Sequence, residues 1–131
     1  NTVIVFTSDH GFYLGDRGLA GKWFMHEESI RVPLLIADLR QPPRARVRAE
    51  MALNLDVAPT LLDYAGAGIP PVMQGRSLRP LVEGRRVNAW RQDFFYEHHF
   101  NYGGRIPDSE GIRTGRWSYW RWTLENPVVE E

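Results

Sequence analysis

Several features are absent from this 131-residue sequence, and each absence excludes a class of protein or site. There is no cysteine, which excludes disulfide bonds, thiolate metal sites and thiol nucleophiles, and leaves the cellular compartment open. Lys plus Arg and Asp plus Glu both total 16, so no excess of charge favours nucleic acid as a partner. No apolar run reaches the roughly eighteen residues that span a bilayer, so we expect no membrane segment. Any anion that the protein binds must therefore be held by local charges.

The hydrophobic and aromatic content of the sequence predicts a single hydrophobic core. The sequence is 43% hydrophobic and 12% aromatic, which is enough for one ordinary core and too little for two large domains. It has no initiator Met and enters directly the apolar run Val3-Ile4-Val5-Phe6. Such a run is typical of a strand buried on both faces of a parallel or mixed sheet. Because few neighbours for that strand are visible, we expect a piece of a larger α/β fold.

Three further segments carry clear structural signals. Closely spaced glycines favour a loop over residues 12–22, because glycine disfavours helix. Residues 56–66 have an acidic N-cap, a first-turn proline and a terminal glycine, which predict a short helix. From Trp90 onward, aromatic and β-forming residues predict antiparallel sheet, with a hairpin turn near residues 114–116.

Three polar residues near the start are candidates for binding an ion. Asp9 and His10 directly follow the first strand, and ligand sites of α/β sheets lie at the carboxyl ends of strands. A carboxylate suits calcium or magnesium, and an imidazole extends the choice to manganese or zinc. Lys22 could hold a tetrahedral oxyanion such as sulfate or phosphate. Taken alone, the Asp-His pair fits a capping or turn role better than a metal site, and Lys22 fits an ordinary surface lysine.

Longer motifs connect these residues to a known family. Residues 8–36 contain several motifs in an ordered series: Ser8-Asp9-His10-Gly11, Leu14-Gly15-Asp16, Gly18-Leu19, Gly21-Lys22 and Glu27-Glu28-Ser29-Ile30-Arg31-Val32-Pro33. They continue in Asp56-Val57-Ala58-Pro59-Thr60-Leu61-Leu62, Ala65-Gly66 and Gln74-Gly75-Arg76-Ser77-Leu78. This series resembles the C-terminal part of the type I sulfatases, a formylglycine-dependent family of the alkaline phosphatase superfamily.

The resemblance implies an α/β fold with two parts. Residues 1–84 would form the C-terminal part of the large domain, with its mixed sheet, and residues 85–131 a small antiparallel subdomain. It also implies a sulfuric ester hydrolase, with a carbohydrate sulfate slightly favoured as substrate. Asp9 and His10 match two ligands of a divalent metal, usually Ca²⁺, with Mg²⁺ or Mn²⁺ as alternatives. Lys22 matches the lysine that contacts a sulfate oxygen and would be catalytic.

Other parts of the family site are not in this sequence. The formylglycine nucleophile arises from Cys or Ser in a Cys/Ser-x-Pro-x-Arg motif, which does not occur here, so we expect it upstream of this chain. The early aspartate pair of the metal site is absent as well. We therefore predict that this chain supplies about half of the metal ligands and is inactive alone.

Two adjacent histidines in the C-terminal region are candidates for substrate contact. His98 and His99 follow a strand-like run, and in related sulfatases this subdomain often reaches the substrate, so either could contact a sugar. Exposed or core histidines would look the same in the sequence. Trp117, Trp120 and Trp122 fit the packing of a small sheet better than stacking on sugar.

Two other functions remain compatible with the sequence. One is a phosphonate monoester hydrolase or phosphodiesterase of the same superfamily, because the same side chains would serve a phosphoryl group. The other is a non-catalytic carbohydrate-binding module that uses the aromatic sheet. In either case, the open strands predict self-association if the chain is made alone.

Overall fold

The computed structural model describes residues 1–42, 45–100 and 106–123, and within them it confirms the predicted α/β class. The elements in chain order are β1 (Val3–Thr7), β2 (Tyr13–Leu14), a 3₁₀ turn (Asp16–Gly18), β3 (Ala20–Gly21), α1 (Glu27–Ile30), β4 (Leu34–Asp38), a 3₁₀ turn (Asn54–Asp56), α2 (Val57–Ala65), α3 (Arg79–Val82), β5 (Asp93–His98), β6 (Ser109–Thr114) and β7 (Ser118–Trp122). Within the described ranges, none of the helices has the length and apolar character needed to cross a bilayer.

The backbone divides into two compact units that alternate along the sequence. The first consists of Asn1–Thr7 and the described part of Pro33–Arg91, and the second of Ser8–Val32 and the described part of Gln92–Glu131. The predicted division of the family fold at residue 84 stays a prediction.

In the first unit, β1 and β4 form a two-stranded antiparallel sheet, with Val3 opposite Asp38. The continuous apolar run predicted burial on both faces. That expectation is wrong for the described residues, because Ile4 is 50% exposed and Phe6 is 61% exposed. Side chains alternate between the faces of a strand, so the exposed residues share one apolar face.

The same unit contains the predicted helix, which the structure confirms as α2. The Asp56 carboxylate at its start is fully buried and accepts hydrogen bonds from the backbone N–H groups of Leu53 and Arg76, each at 2.8 Å. The Arg91 guanidinium pairs with both of its carboxylate oxygens. The helix ends at Gly66, whose φ of 71° is the left-handed conformation that favours glycine.

In the second unit, β5, β6 and β7 form the predicted antiparallel sheet. The predicted hairpin turn is confirmed, since the Thr114 N–H donates to the Trp117 carbonyl at 2.8 Å. The predicted loop over residues 12–22 is instead a small hairpin, in which β2 pairs with β3 around a 3₁₀ turn. Its glycines supply backbone conformations that other residues rarely adopt, such as the φ of 106° at Gly15.

The core of the second unit lies under one face of this sheet. Tyr13 and Met25 are at most 1% exposed, and Trp120 is 9% exposed. His26 joins this core through a 2.6 Å hydrogen bond between its Nδ1 and the Tyr13 hydroxyl. A side chain at Gly111 would come within 2.7 Å of Met25, so this position on β6 needs glycine.

Candidate functional site

The Asp9 and His10 side chains converge just after β1, although they are neighbours in sequence. The Ser8 hydroxyl fixes the turn by donating to the His10 carbonyl at 2.9 Å. His10 Nδ1 lies 2.7 Å from the Gly11 carbonyl oxygen, which can only accept, so Nδ1 carries a proton. In the neutral imidazole the lone pair is then on Nε2, which lies 3.3 Å from Asp9 Oδ2. Two potential metal-binding atoms, Asp9 Oδ2 and His10 Nε2, therefore lie side by side.

The charge of Lys22 acts on the same carboxylate. Partial desolvation raises the pKa of Asp9, but its own backbone N–H, the neighbouring His10 and the charge of Lys22 outweigh that effect and lower the pKa below 3.8. The Asp9 side chain is 82% exposed. The result is an ionised, open carboxylate with an imidazole and an ammonium nearby.

Lys22 is followed by a tryptophan in an unusual backbone conformation. Trp23 has a φ of 105°, which is rare for a bulky residue. Its N–H donates to the Ser29 hydroxyl at 3.1 Å, and Ser29 is only 4% exposed. The Lys22 Nζ lies 5.1 Å from the centre of the Trp23 ring, within the range of a cation–π contact. The Trp23 ring therefore contacts the Lys22 ammonium through its face.

Ser29 also contacts the segment that carries the Asp9–His10 pair. Its carbonyl oxygen accepts a hydrogen bond from the Gly11 N–H at 2.7 Å. The approach is so close that a Cβ on Gly11 would lie 2.2 Å from the Glu28 carbonyl oxygen. No role for Ser29 or Trp23 could be predicted from the sequence, because backbone torsion and burial at a single position leave no pattern in the sequence.

The two candidate histidines have different surroundings. His98 packs edge-on against Trp23 at 5.7 Å between ring centroids, and Phe100 stacks on Trp23 at 5.5 Å. Both His98 ring nitrogens are buried and have no hydrogen-bond partner within the described ranges.

His99 instead is 60% exposed, and its ring nitrogens lie 3.5 Å from Glu97 Oε2 and 3.7 Å from Asp108 Oδ2. The structure therefore places His98 next to Trp23, the neighbour of Lys22, whereas His99 lies beside two carboxylates of the same unit.

A divalent cation fits these residues only in part. Asp9 and His10 offer an oxygen and a nitrogen ligand, but calcium takes six to eight ligands. Across residues 1–42, 45–100 and 106–123, no group of three or more Asp, Glu or His side chains could hold a metal ion. Further ligands would have to come from outside this part of the chain.

Comparisons with known proteins agree with the sequence motifs. Residues 15–130 match the family described as N-sulphoglucosamine sulphohydrolase, C-terminal. An N-acetylglucosamine-6-O-sulfatase from Bacteroides thetaiotaomicron is 40% identical over 118 residues, which cover 87% of this chain and 21% of that protein. The chain therefore spans about a fifth of the length of this curated relative.

Solved structures show the same relationship. A protein solved in complex with its substrate D-glucosamine-2-N,6-O-disulfate is 32% identical, with a TM-score of 0.81, over 98% of this chain and 26% of that one. A phosphonate monoester hydrolase from Silicibacter pomeroyi is 29% identical, with a TM-score of 0.80, over 98% of this chain and 27% of that one. With a family match over most of its length, this chain belongs to the sulfatases and corresponds to the C-terminal region of a type I member.

Proposed function

We propose that the protein containing this chain hydrolyses sulfate esters and that its substrate is a sulfated sugar. The observation that carries the proposal is the convergence of Asp9 Oδ2 and His10 Nε2, 3.3 Å apart, with the charge of Lys22 acting on the same carboxylate. A sugar is favoured because one relative is named for an N-acetylglucosamine sulfate and another was solved with a glucosamine disulfate.

Each residue of the proposed site has a separate task. Asp9 and His10 would hold a divalent cation, Ca²⁺ before Mg²⁺ or Mn²⁺, and the bound ion would supply charge neutralisation at the sulfate oxygens. The Lys22 ammonium would bind a sulfate oxygen and stabilise the negative charge that develops as the S–O bond breaks. The formylglycine nucleophile and the other metal ligands would come from outside this chain.

His98 and His99 are proposed to contact the rest of the substrate. Neither ring nitrogen of His98 has a hydrogen-bond partner within the described ranges, so a sugar hydroxyl that reached the ring beside Trp23 would satisfy one of them. His99 is exposed and flanked by Glu97 and Asp108, and would contact a more distant part of a longer substrate.

A phosphonate monoester hydrolase is the second candidate. The Silicibacter pomeroyi enzyme favours it, because its similarity to this chain nearly equals that of the sugar-bound structure. A lysine ammonium acts as a point charge and does not by itself distinguish sulfate from phosphonate.

The test is hydrolysis by the full-length protein of matched sulfate and phosphonate esters that share one leaving group. We expect faster turnover of the sulfate ester and a loss of about 10²–10³ in kcat for Lys22→Ala, because one preorganised charge is removed. Asp9→Ala should weaken calcium binding, measured by calorimetry.

The matched control for Lys22→Ala is Arg116→Ala, which should leave hydrolysis unchanged. Its guanidinium lies over the Trp117 ring at 4.7 Å on an exposed hairpin, so it reproduces the Lys22–Trp23 pair away from the site. Faster turnover of the phosphonate ester would support the second candidate. Sugar binding without hydrolysis, unaffected by Asp9→Ala, would instead indicate a carbohydrate-binding module.

A further inference from the structure

We propose that Ser29 is a positioning residue that fixes the Lys22 ammonium relative to the Asp9–His10 pair. The inference rests on the proposed function, because it assumes that these three side chains act on one sulfate group. Ser29 is 4% exposed and lies in α1. Its hydroxyl accepts a hydrogen bond from Trp23, so its effect would pass through the residues that it contacts.

One contact is made by the main chain of Ser29. Its carbonyl accepts the Gly11 N–H at 2.7 Å, and the Gly11 carbonyl in turn lies 2.7 Å from His10 Nδ1. This series of hydrogen bonds runs from α1 to the imidazole and orients its Nε2 toward Asp9. Because it uses only the backbone of Ser29, a change of the Ser29 side chain leaves it in place.

The other contact is made by the side chain. The Ser29 hydroxyl accepts the Trp23 N–H at 3.1 Å and holds Trp23 at its φ of 105°. A bulky residue adopts such a conformation only where its surroundings enforce it. In this conformation the ring contacts the Lys22 ammonium, His98 and Phe100. Without the hydroxyl, Trp23 can relax and Lys22 loses its fixed position.

The two contacts therefore predict a separation of effects. Removal of the hydroxyl should weaken the interaction with sulfate, which depends on Lys22, and leave the interaction with the metal, which depends on Asp9 and His10. A residue that served only to stabilise the fold would affect both to the same extent.

The experiment compares Ser29→Ala with wild type in the full-length protein. We expect kcat/KM for the sulfate ester to fall roughly tenfold, because the part-buried Trp23 N–H loses its acceptor. Inhibition by inorganic sulfate should weaken by a similar factor, whereas the calcium affinity measured by calorimetry should change by less than about twofold. Ser29→Thr keeps the hydroxyl and should restore most of the activity.

Two more variants keep the test decisive. Ser29→Cys preserves the packing but replaces the oxygen with a weak acceptor, so it serves if the alanine variant does not fold. Glycine adopts positive φ without strain, so in a Trp23→Gly background Ser29→Ala should cost less than about twofold in kcat/KM.

Unchanged kcat/KM and sulfate inhibition in folded Ser29→Ala or Ser29→Cys would overturn the inference alone. The inference would also be overturned if Ser29→Ala weakened calcium binding as much as it weakened sulfate inhibition. It would be overturned too if Ser29→Ala lowered kcat/KM as much in the Trp23→Gly background as in the wild type. If the wild-type protein neither hydrolyses sulfate esters nor responds to sulfate, the proposed function is wrong and the inference falls with it.

Discussion

Tyr13 combines complete burial with one short hydrogen bond. Its side chain is 0% exposed, and its hydroxyl lies 2.6 Å from His26 Nδ1. Desolvation, followed by the negative charge of Glu28, raises the pKa of the phenol from 10.0 to about 12. The phenol therefore stays neutral at all pH values at which the protein would work, and it links the β2–β3 hairpin to the residue just before α1.

We expect Tyr13→Phe to lower the free energy of unfolding by about 1–3 kcal/mol at pH 7, because the part-buried Tyr13–His26 hydrogen bond is lost. The unfolded phenol ionises near pH 10.0 and the folded one near pH 12. The stabilisation from Tyr13 is therefore complete below pH 10 and is lost as the pH rises toward 12. Urea unfolding of both proteins between pH 7 and 12 measures this.

The control for this prediction is Tyr119→Phe, since Tyr119 is 44% exposed and lies on the other face of the sheet from Trp120. We expect it to behave as wild type. A difference between Tyr13→Phe and wild type that stays constant up to pH 12 would contradict the prediction.

From the sequence, some residues of the candidate site could be proposed and others could not, for a physical reason. Asp9, His10 and Lys22 carry charged or metal-binding groups, so residue type and motif were enough to select them. Lys22 is also the single lysine of the sequence. Ser29 and Trp23 matter through a hydrogen bond and a backbone angle, and neither property follows from residue type.

At the scale of elements, local sequence signals predicted the helix α2 correctly, but they did not predict which strands pair. The helix α2 was predictable because its N-cap, proline and terminal glycine all lie within eleven residues. The β2–β3 hairpin was missed because each strand has only two residues, too few to show alternation. The antiparallel pairing of β1 with β4 joins residues about thirty positions apart, which no local pattern specifies.

Asp56 connects α2 to two later segments, so its removal should destabilise the first unit. We expect Asp56→Ala to lower the free energy of unfolding by about 3–5 kcal/mol, because the Arg91 guanidinium, whose side chain is only 13% exposed, would lose its carboxylate partner. Thermal or urea unfolding of the full-length protein measures the change.

Asp63→Ala is the matched control on the same helix. Its salt bridge with Arg79 leaves 29% and 32% of the two side chains exposed, so solvent already screens the pair. We expect a clearly smaller loss of stability. Equal losses in the two variants would show that the buried pair at Asp56 has no special role.

At the scale of the whole molecule, the β1–β4 sheet leaves large apolar side chains exposed on one of its faces. Phe6 and Leu35, which lie opposite each other, are 61% and 59% exposed. In the described residues each strand has one neighbouring strand only, so one edge of each has no strand beside it. The apolar run of β1 predicted a strand buried on both faces, and the described residues of this chain do not bury it to that extent.

We therefore expect the 131-residue chain, made alone, to self-associate through β1 and β4. Size-exclusion chromatography with light scattering should give a mass above one chain that rises with concentration. Phe6→Lys combined with Leu35→Lys should shift it toward the monomer, because charged side chains on an open strand oppose pairing. Val72→Lys is the control, since Val72 is 87% exposed outside both strands and should not matter. A wild-type chain that stays monomeric at high concentration would contradict the prediction.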